Sequence, residues 1–138
     1  NVRLKKVNEA QLSDLEWADG IVLGSPNYFG AMSGRTKEFV DKSGGLYAKG
    51  RLKNKVGAVF PSAGGTGTGA EVAALSLITA MFSHEMLIVS APGREPGWPG
   101  TYGVIADGLA AIGSPDEKML DNCKRLGEQV ADVAKKLA

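Results

Sequence analysis

The strongest constraint on the fold is an alternation. Compact apolar runs, each closed by a glycine- or proline-rich stretch, are separated by segments of helical period. Gly20-Ile21-Val22-Leu23-Gly24 ends in Ser25-Pro26. Val56-Gly57-Ala58-Val59-Phe60 leads into a Gly-rich loop at 62–69, and Leu87-Ile88-Val89 is the next run. Such runs suit strands buried on both faces. Helices are predicted between them, over 33–42 and 71–83, the second with Leu75, Ile78, Thr79 and Phe82 on one face. Strands alternating with helices mean a parallel sheet covered on both faces, with ligands beyond the carboxyl ends of the strands. The loops at 25–32 and 62–69 are then expected side by side at that end.

The flanking segments read as follows. Val2 to Val7 has the pattern of a short strand whose charges suit a sheet edge. A short helix over 13–18 is expected, with Ser13 as its N-cap. Residues 91–113 are rich in Gly and Pro and read as a long functional loop with little regular structure. In the final helix Met119, Cys123, Leu126, Val130, Val133 and Leu137 recur at steps of four and three. Ser114 is the expected cap, Pro115 the first residue, and Asp116 and Glu117 suit the positive end. Docking on a sheet is preferred to a coiled coil, because the repeat spans only about three heptads.

Composition narrows the function classes. The 138 residues suit one domain, and a net charge of +1 gives no reason to expect nucleic acid. Cys123 is the single cysteine, so no internal disulfide forms; a cytoplasmic, reducing setting fits. One His and one Cys argue against a zinc site, and no metal is expected. No apolar run approaches membrane-spanning length.

Two loops carry candidate chemistry. Ser25-Pro26-Asn27-Tyr28-Phe29-Gly30-Ala31-Met32 joins two aromatics to a glycine, which can set ring surface and bare backbone against a planar ligand. The competing reading is a plain turn with one ring tucked into the core. Ser62-Ala63-Gly64-Gly65-Thr66-Gly67-Thr68-Gly69 follows a strand and opens a helix, where free amides favour an anion or a partial negative charge. Gly65-x-Gly67-x-x-Ala70 also fits the dinucleotide fingerprint. That reading fails, because Glu85 has the spacing of the required acid but precedes the next strand instead of ending it.

Taken together, Ala18-Asp19-Gly20, the run from Gly24 to Ser33, Phe39 to Tyr47, Lys55-Val56-Gly57, the Gly-rich loop to Glu71, and Thr101-Tyr102-Gly103 resemble one family. It is the flavodoxin-like NAD(P)H:quinone oxidoreductases of the tryptophan-repressor-binding-protein type. The resemblance covers roughly two-thirds of the chain in register, and the run from Gly24 to Gly45 is its specific part. It implies an α/β, flavodoxin-like three-layer sandwich with a parallel sheet of strand order 2-1-3-4-5. It implies FMN as cofactor, NAD(P)H as hydride donor, a quinone substrate, and a homodimer or homotetramer. Carried over, Ser25, Pro26, Asn27, Tyr28, Phe29 and Gly30 would pack against the flavin ring. Ser62, Ala63, Gly64, Gly65, Thr66, Gly67 and Gly69 would offer amides to its pyrimidine end, favouring the reduced state. Tyr47, where relatives often have Trp, would wall the substrate side, and His84 would lie near the substrate face as a catalytic residue.

The chain also departs from that pattern. Ser83-His84-Glu85-Met86 stands where the family often reads His-His-Gly-Met. Trp98 is a candidate for covering a pocket or subunit contact, and Arg94 for meeting a cofactor phosphate. The first strand, phosphate loop and first helix expected of the fold are missing, so residues 1–138 read as a single, N-terminally incomplete domain. Roughly 30 to 50 preceding residues are expected, the length of a βα unit with its loop. Without that unit, the strand at 2–7 and the strand at 20–24 are expected roughly 10 Å apart with unpaired edges. The rival readings are a flavodoxin-type electron carrier and a flavin-free binding module on the same fold.

Overall fold

A computed structural model describes residues 1–93, 100–107 and 115–138. In chain order its elements are α1 (Leu12–Trp17), β1 (Gly20–Tyr28), β2 (Ala31–Met32), α2 (Gly34–Lys42), α3 (Gly44–Ala48), β3 (Val56–Ala63), α4 (Ala70–Ser83), β4 (Leu87–Ile88), β5 (Ala106–Asp107) and α5 (Glu117–Leu137). β1 and β3 pair in parallel from Gly20↔Val56 to Pro26↔Ser62. On the other side of β3, β4 pairs with its start and β5 with its end, both parallel. Between them Val89 N–H donates to Gly57 and Val104 N–H to Val59, at 2.9 and 3.2 Å, and Ala91 bridges Thr101. β4 and β5 therefore follow one sheet edge, interrupted by an excursion. Part of the expected 91–113 loop belongs to the sheet; Arg94 and Trp98 lie outside the described residues.

Strand alternation divides the core. Ile21 and Val59 face one side and pack with Leu46, Leu77, Ile78, Met81 and Met86, and with Leu15 of α1. Val56 and Ala58 face the other side, against Leu126 and Val130 of α5. The result is three layers, with helices on both faces of a mostly parallel sheet. Among the described parallel strands, β1, β3 and the β4/β5 line correspond to the 3-4-5 side of the expected order. Gly20 is required by the packing of α5, since a Cβ there would sit 2.6 Å from Val130 Cγ1.

Several expectations are corrected. Residues 1–6 form no strand; Val2 and Leu4 are almost fully exposed. A strand needs a neighbour to exchange hydrogen bonds with, and none flanks this segment among the described residues. It is held instead by Arg3 and Lys5 on Asp14, and by the Arg3 guanidinium 3.9 Å over the Trp17 ring. Lys5 foremost holds the Asp14 carboxyl below the ordinary carboxylate range. The cap of α1 is Gln11, not Ser13, because Gln11 and Asp14 form a reciprocal capping box. The cap of α5 is Asp116, whose side chain accepts from Met119 N–H at 2.7 Å; Pro115 lies ahead of the helix and Ser114 outside the described residues. The α5 stripe docks through Leu126 and Val130, while Cys123 is exposed and Leu137 projects into solvent.

Candidate functional site

The carboxyl-end rim of the sheet is built from the two loops. The first is more regular than expected: Ser25 to Tyr28 continue β1, and Ala31-Met32 turn back on it as β2. Phe29 (φ 54°) and Gly30 (φ 79°) make the two-residue turn, both left-handed, as a tight hairpin with the native strand twist demands. Glycine is at ease there, but phenylalanine is strained by ~1–2 kcal/mol. Phe29 is nonetheless fully exposed, at 109%, and its neighbour Tyr28 is 61% exposed. Neither the turn nor the core explains that ring.

The second loop lies beside the first. Asn27 Nδ2 donates to the Thr68 carbonyl at 2.8 Å, and Asn27 Oδ1 accepts from Gly30 N–H at 3.0 Å. One side chain thus fixes the turn and ties it to the Gly-rich loop. Gly69 adopts φ 98° as the N-cap of α4, and its Cα hydrogen faces Asn27, where a Cβ would meet Nδ2 at 3.6 Å. The amides of Gly64 to Gly69 have no protein acceptor among the described residues. They form a set of free donors at the positive end of a 14-residue helix.

Below the rim runs a groove of about 990 Å³. Ser25, Pro26, Tyr28 and Ser62 line it, together with Phe60 and Arg35. Lys5, Lys6 and Val7 of the first segment and Met119 and Cys123 of α5 line it as well. It reaches β1 at Gly24 to Pro26, part of an edge from Gly20 to Pro26 that pairs with no strand among the described residues. The expected pair of separated strands does not form, since residues 1–6 are not a strand, but the edge of β1 from Gly20 to Pro26 is unpaired among the described residues as expected. Ser25 is buried; its Oγ donates to Pro26 O and accepts from Ser33 N–H at 2.8 Å, anchoring the start of α2.

His84 and Tyr47 are not brought to this rim. They lie at the other end of α4, which is about 21 Å long at 1.5 Å per residue. There His84 Nε2 meets Ser43 Oγ at 2.8 Å, and the Tyr47 ring packs edge-on against the imidazole at 5.9 Å. Burial lowers the His84 pKa. α4 closes in a Schellman motif, with Met86 N–H on Met81 O and Glu85 N–H on Phe82 O. Glu85 occupies the left-handed position of that motif at φ 57°, where the family pattern has glycine. Among the described residues no cluster of metal-binding side chains exists.

Sequence reasoning missed Phe60, Arg35 and Lys6 as groove residues. The signal for Phe60 was present: it shares a strand face with Val56 and Ala58 but lies past the reach of α5, and it stacks over Gly24, where a Cβ would fall 2.3 Å from the ring. No local signal marks Lys6, which reaches the groove only through the path of the first segment.

Comparison with known proteins agrees with this architecture. Residues 4–93 match the model of the NADPH-dependent FMN reductase family. An NAD(P)H dehydrogenase (quinone) of Archaeoglobus fulgidus is 40% identical over 135 residues, 97% of this chain and 69% of that protein. A flavodoxin of Aquifex aeolicus is 35% identical over 133 residues, 95% of this chain and 69% of its own length. Among solved structures, a WrbA-like flavodoxin from Agrobacterium tumefaciens superposes with a TM-score of 0.76 at 23% identity, over 90% of this chain and 71% of that one. The chain belongs to the NADPH-dependent FMN reductase family, flavodoxin-like oxidoreductases that use FMN and NAD(P)H. The rim fits that cofactor chemically: exposed rings suit a planar system, and free amides suit electron-rich carbonyl and nitrogen atoms. Among the described residues no helix is long and apolar enough to cross a membrane.

Proposed function

We propose that the chain is an NAD(P)H:quinone oxidoreductase whose FMN ring sits on the rim between Tyr28–Phe29 and Gly64–Gly69. The observation that carries this reading is the Asn27 tie, which holds two exposed rings beside a row of free amides. FMN, when bound, supplies hydride acceptance and donation. Ser25, Pro26, Asn27, Tyr28, Phe29 and Gly30 form the ring wall. Ser62, Ala63, Gly64, Gly65, Thr66, Gly67 and Gly69 form the amide wall, which favours negative charge on the reduced pyrimidine end. The open edge of β1 and the groove beside it suit a further parallel strand with a phosphate-binding loop, completing the expected sheet order. An A. fulgidus relative bearing the quinone dehydrogenase name supports the substrate.

Tyr47 and His84 are proposed to serve the substrate side of a neighbouring copy, in a homodimer or homotetramer, because within one chain α4 separates them from the rim. Cys123, single and exposed, suits a cytoplasmic, reducing setting. The test is steady-state turnover with FMN, NAD(P)H and a soluble benzoquinone, alongside sedimentation to read the oligomer. Turnover lost in Asn27→Ala supports the reading; a wild type that binds FMN but turns over no quinone rejects it. That last outcome favours an electron carrier, the second reading, to which the similarity with the Aquifex aeolicus flavodoxin lends weight.

A further inference from the structure

Ser43 joins α2 to α3 and is 2% exposed. Its Oγ lies 2.6 Å from the Val40 carbonyl oxygen and 2.8 Å from His84 Nε2. A carbonyl carries no proton, so two oxygens this close need the hydroxyl proton between them. That is the only proton Ser43 Oγ has. Toward His84 it therefore acts as acceptor, and Nε2 must carry the shared proton. Nδ1 is buried and without a partner among the described residues, so an imidazolium would leave an N–H there with nothing to receive it. A cavity of about 30 Å³ lies beside the ring, lined by residues of α1, β1, α2 and α4 with Leu52 and Met86; Ser43 and His84 are its only polar members. Glu85, next in sequence, is taken up by Lys53 at 2.5 Å, and among the described residues Tyr47 is the titratable group packed against the imidazole.

We infer that Ser43 is a positioning residue: it fixes His84 as the neutral Nε2–H tautomer, and His84 in that form orients the exposed Tyr47 ring instead of moving a proton. The two rings meet nearly at right angles, 82°, and Tyr47 is 60% exposed. This revises the expected catalytic role of His84. Its consequence for turnover rests on the proposed function, in which Tyr47 walls the quinone side; the tautomer does not.

The chain has one histidine, so a long-range ¹H–¹⁵N spectrum of the labelled protein reads this imidazole alone. Above neutral pH the expected spectrum has Nε2 protonated and Nδ1 bare. Ser43→Ala is expected to shift the tautomer ratio roughly fivefold toward Nδ1–H, the effect of one net hydrogen bond, and Ser43→Thr to restore it. A wild-type spectrum with Nδ1 protonated overturns the inference even if every variant misfolds, and so does a Ser43→Ala spectrum identical to wild type. In quinone turnover Ser43→Ala should raise KM several-fold and leave the pH dependence of kcat unchanged, with Thr rescuing. A kcat profile that tracks the His84 titration and moves with Ser43→Ala would show proton movement and overturn the positioning role. Absence of quinone turnover in the wild type would defeat the functional reading alone, since the spectrum still decides the tautomer.

Discussion

The two ends of α4 treat their polar groups in opposite ways. At the start, Gly69 opens the helix without a side-chain cap, the 64–69 amides find no protein acceptor among the described residues, and two aromatic rings stand in solvent. At the end, a Schellman closure uses the last carbonyls, His84 Nε2 shares a hydrogen bond with Ser43 Oγ although Nδ1 keeps no partner among the described residues, and Met81 and Met86 seal the core beneath. The first end spends backbone strain at Phe29 on a ring that touches little. The second spends strain at Glu85 on closing a helix. Strain that the fold does not use is a mark of function, whereas strain that completes a hydrogen-bond pattern is a mark of structure.

Substitutions can break that contrast, beginning with the largest effect. Asn27→Ala removes both hydrogen bonds that hold the rim, worth ~2 kcal/mol together. FMN affinity should fall roughly tenfold or more, read by flavin fluorescence titration; unchanged affinity would mean the two loops bind nothing in common. Phe29→Asn suits the left-handed turn and should raise resistance to urea by ~1 kcal/mol while weakening FMN binding. If stability and affinity moved in the same direction, the ring would be part of the fold. Glu85→Gly should also gain ~1 kcal/mol, yet leave FMN affinity untouched, because it lies at the other end.

The smallest effect is a pH dependence at the His84 end of α4. The His84 pKa is lowered by burial, so the folded state binds fewer protons than the unfolded chain near the ordinary value of 6.5. Its contribution to stability is complete above 6.5 and is lost as pH falls through 6.5 toward the lowered folded value. The ring is only half-buried, so the slope is shallow. Urea midpoints of wild type and His84→Gln between pH 8 and 5 should diverge only in the acid half; parallel curves would remove burial as the source of the shift.

Much of this was legible in the sequence. The runs at 20–24, 56–60 and 87–89 and the period of α5 carry hydrophobic patterns that depend on local spacing alone, and the strands and helix formed where expected. The placing of both loops at strand carboxyl ends followed from the same alternation. What escaped depends on partners distant in sequence. Residues 2–7 have strand propensity but no neighbour to pair with, and Ser13 lost the cap of α1 to the Gln11–Asp14 pair. Nothing in the spacing of Tyr47 and His84 says which end of the sheet they occupy; that follows from the antiparallel run of α4 against β3.

The most direct measurement is a visible-spectrum FMN titration of this chain, of its Asn27→Ala variant, and of a form preceded by a further strand and phosphate-binding loop. The expected result is a perturbed, saturable flavin spectrum, with binding tightest in the extended form and weakened by Asn27→Ala in whichever form binds. An extended form that leaves the flavin spectrum unchanged, or binding indifferent to Asn27, would contradict the placement of the flavin on the rim.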